Sequence, residues 1–200
     1  MSRSPLLASE RRQLLAVATQ SIGHVLLGRA ARRPRPQDWT GVVAAPGASF
    51  VTLERDGDLL GCIGTWIAVE ALVVDVARHA LAAAFADPRL PPVTVADYEA
   101  MTVKVSVLSA PAPIPATNHA ELIEQVRPRV DGLIVDCTPR RATLLPTVWE
   151  HRRDPREFLA ALWQKAGLSP GTWPPRTRVA RYTTEEFADA GPRSLAVPRA

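Results

Sequence analysis

The sequence predicts an α+β fold of antiparallel sheets with flanking helices. Two hairpins can be read directly, at 49–64 and 132–145. Helical segments separate them instead of alternating one for one with single strands, which argues against a doubly wound parallel sheet. A further strand at 101–109 places Val103, Val105 and Val107 on one face. At 200 residues the chain is one domain or two small lobes sharing a core.

Residues 6–30 read as a helix capped by Ser9, with Leu14, Leu15, Ala18, Ile22, Val25 and Leu26 at helical spacing. Residues 31–48 read as loop, punctuated by Pro34 and Pro36. The first hairpin alternates over 49–55, turns at Asp56-Gly57 and returns over 58–64. Residues 69–86 form an alanine-rich helix with Leu72, Val76, His79, Ala80 and Ala83 along one side. Asp87-Pro88 stops it, because proline disfavours a helical residue before it.

A short helix at 95–99 precedes the strand at 101–109, and Pro111, Pro113 and Pro115 make an extended linker. A helix over 118–126 leads to the second hairpin, whose turn is 138–141. Asp154-Pro155-Arg156-Glu157 is a strong helix start, and Gly167 a typical stop. Residues 176–182 read as a last strand. Thr183 and Glu186 read as a capping box for a final helical turn. Residues 1–190 are expected to form the domain and 191–200 a disordered tail.

Hydrophobic residues make up 46% and charged residues 22% of the chain, which excludes wholesale disorder. No apolar run is long enough for a membrane span, and no signal-peptide core is expected at the N-terminus. Two cysteines are too few for a disulfide scaffold, so a cytoplasmic location is expected. The net charge is +4. Arginines cluster at 32, 33 and 35, at 152, 153 and 156, and at 176, 178 and 181. With 19 prolines, this composition reads as a high-GC coding bias, with a bacterial source expected. Nucleic-acid binding rests on charge alone, since no helix-turn-helix, RRM-type or zinc-finger pattern accompanies it.

One segment carries chemistry: Leu60-Gly61-Cys62-Ile63-Gly64-Thr65. Glycine in a strand marks a bulge or a close approach by backbone or ligand. A thiol between two glycines has little steric cover from its neighbours, so Cys62 is a candidate reactive thiol. The alternative is a packing cysteine beside packing glycines.

The same segment resembles the hallmark of the AMMECR domain family, whose microbial members are called protein A of the AmmeMemoRadiSam system. The resemblance covers about residues 10–187. Its other anchors, in order, are Phe50-Val51-Thr52-Leu53, Asp87-Pro88-Arg89, Val105-Ser106-Val107-Leu108-Ser109 and Gly132-Leu133-Ile134-Val135. Then come Leu144-Leu145-Pro146 with Val148-Trp149, Phe158-Leu159, Lys165-Ala166-Gly167-Leu168, and Tyr182-Thr183 followed by Phe187.

The resemblance implies a two-lobed α+β fold, with a larger lobe from both chain ends and a smaller lobe inserted. The hallmark segment would lie near the cleft between them. It also implies a role beside a Memo-like protein and a radical-SAM enzyme in a modification pathway. A small ligand is expected at Gly61, Ile63, Gly64, Thr65, Asp87 and Arg89. Three positions depart from the family pattern: Leu60 replaces an arginine, Leu90 an aromatic and Thr147 a glutamine. If the missing arginine activated the thiol, Cys62 is less activated here unless Arg55 or Arg89 compensates.

Other chemistries are weaker. The four histidines are isolated, with no H-x₃-H pair and no C-x₂-C, so no metal and no cofactor are expected. His79, on the helix after the hallmark, is the best base for a Cys-His pair. Its alternative is a half-buried core histidine. Asp87 and Arg89 read either as cleft hydrogen-bonders or as a local ion pair at a helix end. No dinucleotide fingerprint, P-loop or G-x-S-x-G elbow is present. A non-catalytic binding or scaffold protein is the alternative function, and a basic nucleic-acid binder the third.

Overall fold

The computed structural model describes residues 5–195. The chain divides into two compact units, one comprising 5–108 with 185–195 and the other Ser109–Thr184.

The first unit begins with α1 (Ala8–Leu26). The cap differs from the expected one. Leu7 precedes the helix, and its N–H donates to the Glu10 carboxylate at 2.8 Å, while Ser9 lies within the first turn. The helix ends four residues early, at Leu26, and Gly28 just beyond it has a φ of +70° that suits a glycine terminator. The segment expected as loop holds two short 3-10 turns, Pro36–Asp38 and Gly41–Val43, and strand β1 (Pro46–Gly47). Proline fits the first position of a helical turn, where no N–H is needed.

The first hairpin forms as read, from β2 (Ser49–Arg55) and β3 (Asp58–Gly64). β4 (Glu70–Ala71) pairs with β1, which delays α2 to Leu72–Phe85. α3 (Val95–Ala100) carries a complete capping box of Thr94 and Asp97, and leads into β5 (Thr102–Leu108).

In the second unit, β6 (Ala112–Ile114) occupies the expected linker, because its backbone pairs with a later strand. It is followed by α4 (His119–Gln125), β7 (Gly132–Cys137), β8 (Arg140–Leu144), a 3-10 turn at Pro146–Glu150, α5 (Pro155–Lys165) and β9 (Arg178–Tyr182). Asp154 caps α5 by accepting the Arg156 N–H. The sheet order is β6-β9-β7-β8, all antiparallel. Its core holds Phe158, Leu162, Trp163 and Trp149, with Trp149 stacked on Phe158 at 3.9 Å.

Where Thr183 and Glu186 read as a capping box, the chain instead runs on as β10 (Thr184–Asp189). Tertiary partners outweigh the local cap. Glu186 accepts the Ser106 hydroxyl at 2.9 Å, and Glu185 accepts the Leu6 N–H and pairs with Arg11. β10 joins the sheet of the first unit, in the order β10-β5-β2-β3. The expected disordered tail is bonded over its first residues. The Gly191 N–H donates to Met101 O, and the Arg193 guanidinium reaches the carbonyls of Met101 and Tyr98. Residues 196–200 lie outside the described residues.

Helices α1 and α2 cover one face of this sheet. Val51, Leu53, Val103, Val105 and Val107 point toward them and are buried. Strand alternation therefore sends Phe50, Thr52, Lys104 and Ser106 to the opposite face. The mixed helices and antiparallel sheets make the fold α+β.

Candidate functional site

The hallmark lies on β3, an edge strand. Asp56 (φ 53°) and Gly57 (φ 89°) both adopt the left-handed region, as a type I′ turn requires. Arg55 pairs with Asp58 and Glu54 with Leu59, but Leu53 pairs with Gly61. Leu60 is thus the extra residue of a β-bulge. Its side chain packs against the core. The bulge moves the register by one, so Cys62 stands opposite Thr52.

An edge strand leaves outward N–H and C=O groups without a strand partner. At Cys62 both are satisfied by the Asp87-Pro88-Arg89 segment after α2. The Cys62 N–H donates to Asp87 Oδ2 at 3.0 Å. Arg89 Nη2 donates to the Cys62 carbonyl at 3.1 Å. Arg89 also grips both carboxylate oxygens of Asp87, from Nε at 2.9 Å and from Nη2 at 2.7 Å. Asp87 is only 6% exposed. The Arg89 hydrogen bond holds its carboxyl well below the usual carboxylate range against the opposing effect of burial, and the Cys62 N–H adds to it. Asp87 in turn raises the pKa of the guanidinium. Of the two cations offered as substitutes for the missing arginine, Arg89 is beside Cys62. Arg55 is engaged by Asp97 and Asp56.

The glycines are spent on packing. A Cβ on Gly61 would stand 2.0 Å from the Ala83 carbonyl oxygen of α2. A Cβ on Gly64 would stand 2.3 Å from the Phe50 ring, which lies across the strand there. Ile63 pairs with Val51 and packs against the core. The Thr65 N–H donates to Ser49 O, and its hydroxyl accepts the Ile67 N–H. These four residues and the Asp87–Arg89 pair therefore have structural partners.

The thiol itself faces away from the helices and is half-buried. The Thr52 hydroxyl donates to Cys62 Sγ at 3.3 Å. Thr52 pairs on its other side with Lys104, whose Nζ lies 3.5 Å from Glu54 and 3.8 Å from Glu186. Cys62, Thr52, Lys104 and Glu186 thus form a polar row across four strands. It combines a nucleophile, a hydroxyl and an amine flanked by carboxylates, groups suited to thiol and proton-transfer chemistry.

His79 does not join this row. It is buried on α2, with Nδ1 3.2 Å from Asp75 Oδ2 but not aligned as a hydrogen bond. Asp75 accepts the Ser49 hydroxyl at 2.7 Å, on the helix-facing side of the sheet. No Cys62–His79 contact forms among the described residues. Cys137, at the end of β7, packs against the core of the other unit. Among the described residues no group of three or more His, Cys, Asp or Glu is arranged to hold a metal.

Sequence reading missed Thr52, Lys104 and Glu186. A two-residue turn without a bulge would pair Thr52 with Gly61, so the sequence offered no signal for the Thr52–Cys62 contact. Glu186 reads locally as part of a helical capping box, which hides its place on a strand.

A sequence model of the AMMECR1 family matches residues 15–187. A protein of Methanothermobacter thermautotrophicus is 38% identical over 193 residues, covering 96% of this chain and all of that protein. A protein of Methanosarcina acetivorans is 34% identical, over 94% of this chain and 95% of that one. The crystal structure of the uncharacterized protein PH0010 from Pyrococcus horikoshii superposes with a TM-score of 0.80 at 33% identity, covering 90% of this chain and 91% of that one. These relatives are archaeal, so they lend no support to a bacterial source. Among the described residues no helix is long and apolar enough to cross a membrane.

Proposed function

The chain belongs to the AMMECR1 family, and from that premise we propose that it supplies the Cys62 thiol to a modification pathway shared with a Memo-like protein and a radical-SAM enzyme. The observation that carries this reading is the way Cys62 is held. Its N–H and carbonyl are fixed by Asp87 and Arg89, while its half-buried thiol shares a polar row with Thr52 and Lys104. Such fixation positions a reacting group without making it part of the core. The test is complementation of a host lacking this gene, with the pathway product as readout. Cys62→Ser is expected to abolish the product at unchanged protein level. Full complementation by Cys62→Ser removes the thiol from the mechanism.

A second reading, a scaffold or binding protein without chemistry, is favoured by one observation. Gly61 and Gly64 are required by the packing of Ala83 and Phe50, which explains the hallmark glycines without any ligand. On that reading Cys62→Ser complements fully, whereas Gly61→Ala fails through loss of the fold.

A further inference from the structure

The arginine cluster at 32–35 lines a cavity that the Cys62 reading does not use. The cavity has a volume of about 610 Å³ and lies between α1 and the segment that follows it. That volume falls within the usual range for small-molecule sites, roughly 300–1,000 Å³.

Its polar lining is only partly spoken for. Arg33 is paired with Glu70 at 2.8 Å and Arg35 with Asp38 at 2.9 Å. Arg32 has no counterion among the described residues, so the site carries an unspent positive charge. Ser21 is 5% exposed, yet it lines the cavity and its hydroxyl makes no hydrogen bond among the described residues. A serine inside a helix can return its hydroxyl to the backbone carbonyl one turn earlier. Thr19, two residues before it, does so with the carbonyls of Leu15 and Ala16. A hydroxyl withheld from the backbone in a nearly buried residue is a ready donor and acceptor for a bound molecule. Gln20 adds an amide able to donate and accept, and Trp39 adds an indole that also packs against the core.

We propose that this cavity binds a nucleoside monophosphate. A guanidinium without a counterion fits a phosphate monoester, because charge-assisted N–H···O bonds to phosphate are the strong ones. An indole in the wall fits a planar base, since stacking on an aromatic ring accepts any base. The hydroxyl and the amide fit the polar edge of the base or the sugar. These side chains lie on α1 and on 32–39, none of which contributes to the polar row around Cys62.

The test is isothermal titration of the full chain with AMP, GMP, CMP and UMP in parallel with adenosine and inorganic phosphate. At least one monophosphate is expected to bind with a dissociation constant below about 1 mM, and each half-molecule to bind at least tenfold more weakly. Arg32→Gln, at an exposed position, is expected to weaken the monophosphate roughly tenfold or more. Trp39→Leu is expected to weaken it as well. The proposal is overturned if no monophosphate binds at that concentration. It is equally overturned if inorganic phosphate binds as tightly as the nucleotides, or if Arg32→Gln leaves the affinity unchanged.

Discussion

Asp87 accepts the backbone N–H of Cys62 at 3.0 Å through a carboxylate that Arg89 holds from two sides. This bond ties the stop of α2 to the edge of the sheet, and it explains why two motifs 25 residues apart belong together. Both serve one strand edge: Asp87 closes its N–H and Arg89 its carbonyl.

Replacing Asp87 with Ala is expected to lower stability by about 2 kcal/mol, because the Cys62 N–H loses its acceptor while the largely exposed Arg89 turns to water. Asn should recover part of that loss. The pH dependence has a definite sign. The folded carboxyl titrates below its unfolded range, so the unfolded state binds more protons in between. The stabilisation is complete above about pH 4 and is lost as the pH falls toward the folded value. Urea melts of wild type and Asp87→Asn over that range check this: the gap between them should narrow with acid.

Gly61→Ala is expected to cost about 3 kcal/mol or more, since the added methyl meets backbone of α2 and not a movable side chain. Gly57→Ala meets nothing within 4 Å and is strained only by its φ of +89°, so it should cost about 1 kcal/mol. Denaturant midpoints of the two variants test the order. A milder effect at Gly61 than at Gly57 contradicts the packing role.

Position 60 faces the core through the bulge. Leu60→Arg is therefore expected to lower stability by about 1 kcal/mol by removing apolar burial. It should leave the alkylation rate of Cys62 within about twofold, since a side chain at 60 is directed to the core and not to the thiol. Arg89→Gln removes the donor to the Cys62 carbonyl, and should change that rate more than Leu60→Arg does. Mass spectrometry of iodoacetamide adducts distinguishes the two.

His119 sits against Trp163 at 4.5 Å and Trp173 at 5.3 Å, and its Nε2 is buried without a partner among the described residues. Burial lowers its pKa. The unfolded chain then binds the proton first, so this contribution to stability is full above about pH 6.5 and declines as the pH falls below it. Denaturant melts followed by tryptophan emission should show the decline between pH 7 and 5, and His119→Gln should flatten it.

Much of the fold could be read from local rules. The Asp56-Gly57 turn, the Asp154-Pro155 start and the Gly167 stop hold because each rests on backbone preferences of neighbouring residues. The failures come from long-range partners. β6 is a strand because Ala112 and Ile114 find Arg181 and Val179. β10 is a strand because Glu185 and Glu186 find Leu6, Arg11 and Ser106. At the site, Cys62, Asp87 and Arg89 could be singled out from the sequence, but the hydrogen bonds that join them could not. A single bulged residue decided that Thr52, not another side chain, meets the thiol.

The alkylation rate of Cys62 in the folded protein separates a positioned thiol from a packing residue. The protein is treated with iodoacetamide at neutral pH without denaturant, and Cys62 is compared with Cys137 by mass spectrometry. Cys62 is expected to react under native conditions, faster than Cys137. A Cys62 that stays unmodified until denaturant is added contradicts it, and leaves the hallmark as a packing motif alone.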